Sequence, residues 1–137
     1  MNHLLKFSVL ILLFGFQSCS TSAQERESAS APKIVEVNEA ADLMAKGDIL
    51  ILDVRTSEEV SQGFIEGAEN LDIFDWEAFT SGVEELDKTA PVMVYCKVGG
   101  RSQKAAKYLA DNGFDLVYDL GGGIIAWQEA GKSLVKK

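Results

Sequence analysis

From residue 34 onward, short apolar runs alternate with amphipathic stretches. Ile34–Val37 reads as a short strand. Asn38 is placed to cap a helix running to about Lys46, with Gly47 ending it. Ile49-Leu50-Ile51-Leu52 is a continuous apolar run, the pattern of a parallel strand buried on both faces. Val92–Tyr95, behind Pro91, repeats that pattern. Asn70-Leu71 gives a strand fragment, and Leu116–Leu120 a last strand. Thr56 and Glu59, three apart, predict a capping box opening a helix to about Gln62. Trp76, Phe79, Val83 and Leu86 recur at helical spacing within Asp75–Leu86. Ser102–Asn112 is a further helix with Gly113 as its cap, and Ile124–Ala130 a closing one. Strands alternating with helices predict an α/β fold: one central parallel sheet of about five strands, covered by helices on both faces. In such sheets ligands bind beyond the carboxyl ends of the strands. Cys96 stands there, directly after Tyr95.

The first residues follow another pattern. Lys6 and the amino terminus are positive, and Phe7–Phe16 is mostly apolar. That run is too short to span a bilayer, where about 20 residues are needed. It has the length of a signal-peptide core; the competing reading is a buried N-terminal element of the fold. Two processing sites compete. Phe16-Gln17-Ser18-Cys19 resembles the lipobox of bacterial lipoproteins, although Phe16 and Gln17 depart from its usual small or aliphatic residues. Thr21-Ser22-Ala23 fits ordinary cleavage after residue 23. The favoured expectation is a lipoprotein-type signal over residues 1–18, with Cys19 lipidated and the chain anchored to a membrane without spanning it. Residues 19–33, rich in Ser, Ala, Glu and Gln, read as a flexible tether reaching roughly 20 Å. Residues 34–137 form the domain. The expected location is the periplasmic side of a bacterial membrane, lipid-anchored or soluble.

Composition narrows the function. The 137 residues allow one domain, and 47% hydrophobic content supports an ordinary core. The net charge of −8 argues against nucleic acid, which needs a basic face. A monomer is the default for one small acidic domain. The only histidine, His3, lies in the segment expected to be removed. A Cys–His pair and histidine-bound zinc are then excluded from the mature chain. No metal ligand set and no cofactor motif is read. Export would also leave Cys96 as the only thiol, either reactive or a small buried hydrophobe.

The stretch Cys96-Lys97-Val98-Gly99-Gly100-Arg101-Ser102 favours reactivity. A buried strand delivers the cysteine, and Arg101 and Ser102 start a helix. Gly99 and Gly100 let the backbone curl so that successive amides point inward. The helix N-terminus and Arg101 add positive charge. A thiolate held there has a lowered pKa, and the same cradle suits a persulfide sulfur or a small anion. The bland alternative is a cysteine that ends a strand before a glycine-rich turn.

This stretch resembles the active-site loop of the rhodanese family, Cys-x-x-Gly-x-Arg-Ser/Thr. Leu52-Asp53-Val54-Arg55 with Glu58-Glu59, Gly63–Ala68, Asn112-Gly113-Phe114, and Leu120–Gly123 with Trp127 resemble further segments of that family, in the family's order. The likeness runs from about Ile34 to the C-terminus. Phe64 and Glu66 depart from it, standing where histidine and proline are usual. The resemblance implies a single rhodanese-like domain and a thiosulfate sulfurtransferase-like enzyme. Cys96 would take sulfur from a donor such as thiosulfate, hold it as a persulfide, and pass it to a thiol or cyanide. A partner protein is a possible acceptor. Lys97, Val98, Gly99, Gly100, Arg101 and Ser102 would bind the substrate, the two cations orienting an anionic donor; the alternative for Arg101 is a structural role.

Two rivals stand beside this reading. One is a non-catalytic or carrier rhodanese-like binding module, although such modules usually lack the cysteine. The other is a cysteine phosphatase or arsenate reductase, whose family pattern has one residue more between cysteine and arginine. Asp53 and Arg55 read as a structural ion pair near the site. Gly121-Gly122-Gly123 reads as a turn allowing close packing, since it lacks the spacing of a dinucleotide fingerprint. Trp76 and Trp127 read as core or rim aromatics.

Overall fold

A computed structural model describes residues 31–136; the apolar leader, Cys19, both processing sites and most of the tether lie outside the described residues. Ten elements alternate along the chain. They are β1 (Lys33–Val35), α1 (Val37–Ala45), β2 (Leu50–Asp53), α2 (Ser57–Ser61), β3 (Glu69–Asn70), α3 (Trp76–Glu84), β4 (Val92–Tyr95), α4 (Gly100–Asp111), β5 (Val117–Leu120) and α5 (Gly123–Glu129). The strands form one sheet in the order β1-β5-β4-β2-β3, with every pairing parallel. This is the predicted α/β architecture.

Alternation along β4 divides the core in two. Val92, Val94 and Cys96 face α3 and α4, packing with Leu52, Phe79, Val83, Ala105 and Leu109. Met93 and Tyr95 face α1 and α5, packing with Val35, Ile51, Leu120, Ile124 and Trp127. Both faces are dry, so β4 is buried along its whole length. That is why it reads as an unbroken apolar run rather than an alternating one. Truncating a core leucine such as Leu109 would cost about 2–5 kcal/mol.

Several element boundaries shift by one or two residues from the sequence expectation, and three of these shifts have a bearing on the core or the site. Helix α1 starts at Val37 with Glu36 as its N-cap, not at Asn38. Val37 and Ala40 are buried, and their burial sets the phase of the helix over the capping preference of Asn38. Lys33, placed in the tether from sequence, begins β1. Helix α4 starts at Gly100 rather than Ser102, because Gly99 takes the N-cap position with φ +114°. The capping box of α2 is present as predicted: Glu59 N donates to the Thr56 hydroxyl and Thr56 N to the Glu59 carboxylate. Trp127 is core, whereas Trp76 is half exposed and packs at 5.4 Å on Phe79 and 5.1 Å on Tyr108.

Candidate active site

Cys96 follows β4 at the carboxyl end of the sheet, and the chain turns at once into α4. The turn places donors around its sulfur. Gly99 N donates to Sγ at 3.1 Å. The Ser102 hydroxyl lies 3.6 Å away and accepts from the thiol. Burial pushes the thiol pKa up. The Ser102 hydroxyl and the amides of Ser102, Gly99 and Val98 outweigh burial, and the net shift is downward. The left-handed Gly99 is what allows its amide to turn inward; a side chain there would be strained. Cys96 is only 1% exposed, so the sulfur lies at the floor of the cradle.

The outer side of the loop is fixed by α5. Ile124 N donates to the Cys96 carbonyl at 2.9 Å, and Ile125 N to the Lys97 carbonyl at 3.2 Å. Two otherwise unpaired amides of the helix start are thus used to turn the loop's carbonyls away from the sulfur. The approach is close: a Cβ on Gly123 would stand 2.6 Å from both carbonyl oxygens. The Gly121–Gly123 turn therefore serves packing, as its sequence implied.

Arg101 is placed differently from a free anion-binding cation. Its two terminal nitrogens form a fork with Glu59, at 2.7 and 2.8 Å. Its guanidinium also lies 5.2 Å from the centre of the Phe74 ring. The hydrogen bond from Arg101 is the largest influence on Glu59, whose pKa falls to about 2. Arg101 therefore clamps the start of α4 to α2. Its charge still favours a thiolate, since the two groups attract. Lys97 and Val98 are exposed on the rim, and Gly100 opens α4. Lys97 is in none of the ion pairs among the described residues. It lines a cavity of ≈ 190 Å³ together with Arg55, Glu59, Gln62 and Gln128.

Asp53 and Arg55 form the ion pair read from sequence, on the α5 side of the sheet. Arg55 Nη2 meets Asp53 Oδ2 at 2.7 Å, and Arg55 Nε meets Oδ1 at 2.9 Å. The Tyr95 hydroxyl donates to Asp53 at 2.6 Å and accepts from Ile65 N. Arg55 also donates to the Gly63 carbonyl. The departing segment at Phe64 and Glu66 is thereby tied down, and Phe64 pairs with Val135 in an antiparallel bridge. Two residues near the site were not singled out for it from sequence. Glu59 was read only as a cap and as part of a shared motif. Asp119 of β5, buried beside Ser102, carried no local signal.

Residues 36–130 match the model of the rhodanese-like domain. The chain belongs to the rhodanese family. It is 37% identical over 101 residues to the thiosulfate sulfurtransferase GlpE of Shewanella oneidensis, covering 74% of this chain and 97% of that one. It is 38% identical over 88 residues to a sulfurtransferase of Allochromatium vinosum, covering 64% and 79%. The crystal structure of a rhodanese-related protein from Thermoplasma volcanium superposes with a TM-score of 0.68 at 26% identity, covering 77% of this chain and 99% of that one. These likenesses make the chain a rhodanese-like sulfurtransferase.

Proposed function

We propose that Cys96 carries sulfane sulfur as a persulfide, taken from a thiosulfate-type donor and passed to a thiol acceptor. The observation that carries this reading is the ring of polar groups around Sγ: the Gly99 amide, which donates to it at 3.1 Å, the Ser102 hydroxyl at 3.6 Å, which accepts from the thiol, and the amides of Val98 and Ser102. Such a ring favours a sulfur anion over a thiol without a histidine base. In the first displacement the Cys96 thiolate attacks the outer sulfur of the donor. The donor's S–S bond breaks and sulfite leaves with the electron pair. In the second, an acceptor thiolate attacks the outer sulfur of the persulfide, and Cys96 leaves as thiolate. The new S–S bond moves the reactive atom outward by about 2 Å, which helps an acceptor reach a sulfur whose parent thiol is recessed. Lys97, exposed and outside the ion pairs among the described residues, attracts the anionic donor, while Arg101 holds the loop. The relatives named for thiosulfate support the choice of donor.

The test is sulfite release from thiosulfate with a dithiol acceptor. Turnover that disappears in Cys96→Ser supports the reading. Turnover of an aryl phosphate that depends on Cys96, with no sulfite released, would sink it. The leader sequence supports a further part of the proposal, in which the domain is exported and anchored by a lipid on Cys19. Mass analysis of the mature N-terminus checks this: an acylated Cys19 is expected, and a free Gln24 would replace the anchor with soluble export.

A further inference from the structure

Between α2, the Cys96 loop and α5 lies a cavity that the two displacements leave unused. Its volume is ≈ 190 Å³, and Arg55, Glu59, Gln62, Lys97 and Gln128 form its polar wall. Pockets for drug-sized ligands start at about 300 Å³, so this one suits a single short arm of a molecule. The cavity adjoins the nucleophile without containing it: Lys97 lines it, and Cys96 does not. Its wall is joined to the loop, because Ile124 N and Ile125 N hold the carbonyls of Cys96 and Lys97 at 2.9 and 3.2 Å.

The wall has positive charge and hydrogen-bond donors to spare. Glu59 is its only acid, and Arg101 forks both carboxylate oxygens at 2.7 and 2.8 Å. Lys97 is in none of the ion pairs among the described residues. Arg55 is balanced by Asp53 in charge but not in hydrogen bonds. Its Nε and Nη2 donate to Asp53 and to the Gly63 carbonyl. Its Nη1 has one bond, a long one of 3.4 Å to the Glu59 carbonyl. A guanidinium carries one more N–H than these bonds use. The spare hydrogen belongs to a side chain only 5% exposed, and the cavity is the open space that side chain lines. Gln62 and Gln128 are exposed and add carboxamide donors. A free ammonium, a spare guanidinium hydrogen and two carboxamides suit a carboxylate, which accepts through two oxygens.

Position separates the acceptor from the donor as the occupant. A compact donor such as thiosulfate must set its outer sulfur against Sγ, and a cavity that Cys96 does not line keeps it away. A longer thiol can do both, with its sulfur over the loop and its carboxylate beside Lys97. We infer that this cavity binds the carboxylate of a small acceptor thiol and sets the acceptor preference of the discharge step. The thiolate of that acceptor attacks the outer sulfur of the Cys96 persulfide. A new S–S bond forms as the old one breaks, the electron pair of the old bond stays with Cys96, and the product is a carboxylate-bearing persulfide. Lys97 then serves twice, drawing in the anionic donor and later holding the acceptor.

This inference rests on Cys96 as the sulfur carrier, so one arm of its test needs no sulfur transfer. On the persulfide-loaded full chain, discharge by β-mercaptopropionate is compared with discharge by β-mercaptopropionamide, its neutral isostere, each rate taken per thiolate. Wild type should prefer the acid by about tenfold or more, the gain of one charge-assisted hydrogen bond. The preference should fall several-fold in Lys97→Gln, and reverse in Gln128→Glu, which adds a second acid to the wall. Both positions are exposed, and a ratio taken within each protein cancels changes in the chemistry itself. A wild-type ratio near one, or a ratio that either substitution leaves unchanged, overturns the inference. In the second arm the unloaded chain is titrated with the same two thiols, and the side-chain amide signals of Gln62 and Gln128 are followed by NMR. They should move with the acid and stay in place with the amide; the same response to both refutes the carboxylate site. Signals that move with the acid in a chain that never loads sulfur would keep the carboxylate site and remove the sulfur-transfer reading alone.

Discussion

The two sides of β4 hold one buried carboxylate each, and the two are treated in opposite ways. On the α5 side, Asp53 is gripped by Arg55 and the Tyr95 hydroxyl, and Arg55 in turn bonds the Gly63 carbonyl. On the α4 side, Asp119 is in none of the ion pairs among the described residues, and its Oδ1 has no partner. Both are almost fully enclosed, so exposure does not separate them. Partners do. A buried charge with its hydrogen bonds complete serves to tie segments together. One left incomplete is poised to take a proton. The sulfur of Cys96 opens toward the second side, while its loop carbonyls are pinned from the first.

The contrast predicts stability losses on the α5 side and changes of pH behaviour on the α4 side. The largest loss is expected for Asp53→Ala, which leaves the Arg55 guanidinium buried without its partner. It should cost about 3–5 kcal/mol in urea unfolding. A cost no larger than that of Asp119→Asn would erase the distinction between the two carboxylates. Gly123→Ala comes next. At φ +61°, with two carbonyl oxygens 2.6 Å from the new Cβ, it should cost about 1–3 kcal/mol. It should also slow Cys96 alkylation, because the cradle must shift. Tyr95→Phe removes one hydroxyl that serves Asp53 and Ile65, a loss of about 1–2 kcal/mol. Its alkylation profile against pH should stay as in wild type, since the hydroxyl lies across the sheet from Ser102.

The smallest effects are two opposed slopes of stability with pH. Glu59 has its pKa lowered from 4.5 to about 2 by Arg101. The folded state therefore binds its proton less readily than the unfolded one. The clamp's contribution is present above 4.5 and fades as pH falls toward 2. Asp119 is raised from 3.8, so the folded state keeps its proton longer. It lowers stability as pH climbs above that value. Denaturant melts across acid pH should show the first slope vanish in Glu59→Gln and the second in Asp119→Asn.

What was legible in the sequence is local. The apolar runs marked β2 and β4 because both are buried on two faces. The Cys96–Ser102 stretch displayed its cradle because the sulfur, the turning glycine and the amides lie within seven residues. The capping box of α2 was legible for the same reason. The remaining features depend on contacts across the sheet. Glu59 and Arg101 are 42 positions apart, so the fork that occupies the arginine has no sequence spacing to reveal it. Asp119 sits between Tyr118 and Leu120 in an ordinary strand, and its enclosure comes from elements distant in sequence. The pinning of loop carbonyls by Ile124 and Ile125 uses main-chain amides, which leave no mark in residue type.

The central claim is that Cys96 is a sulfur carrier, and intact-mass measurement after incubation with thiosulfate tests it most directly. The account predicts a gain of one sulfur atom on the wild-type chain, reversed by a dithiol and absent from Cys96→Ser. An unchanged mass with thiosulfate, polysulfide and other sulfane donors, in a chain whose Cys96 still alkylates, would contradict it.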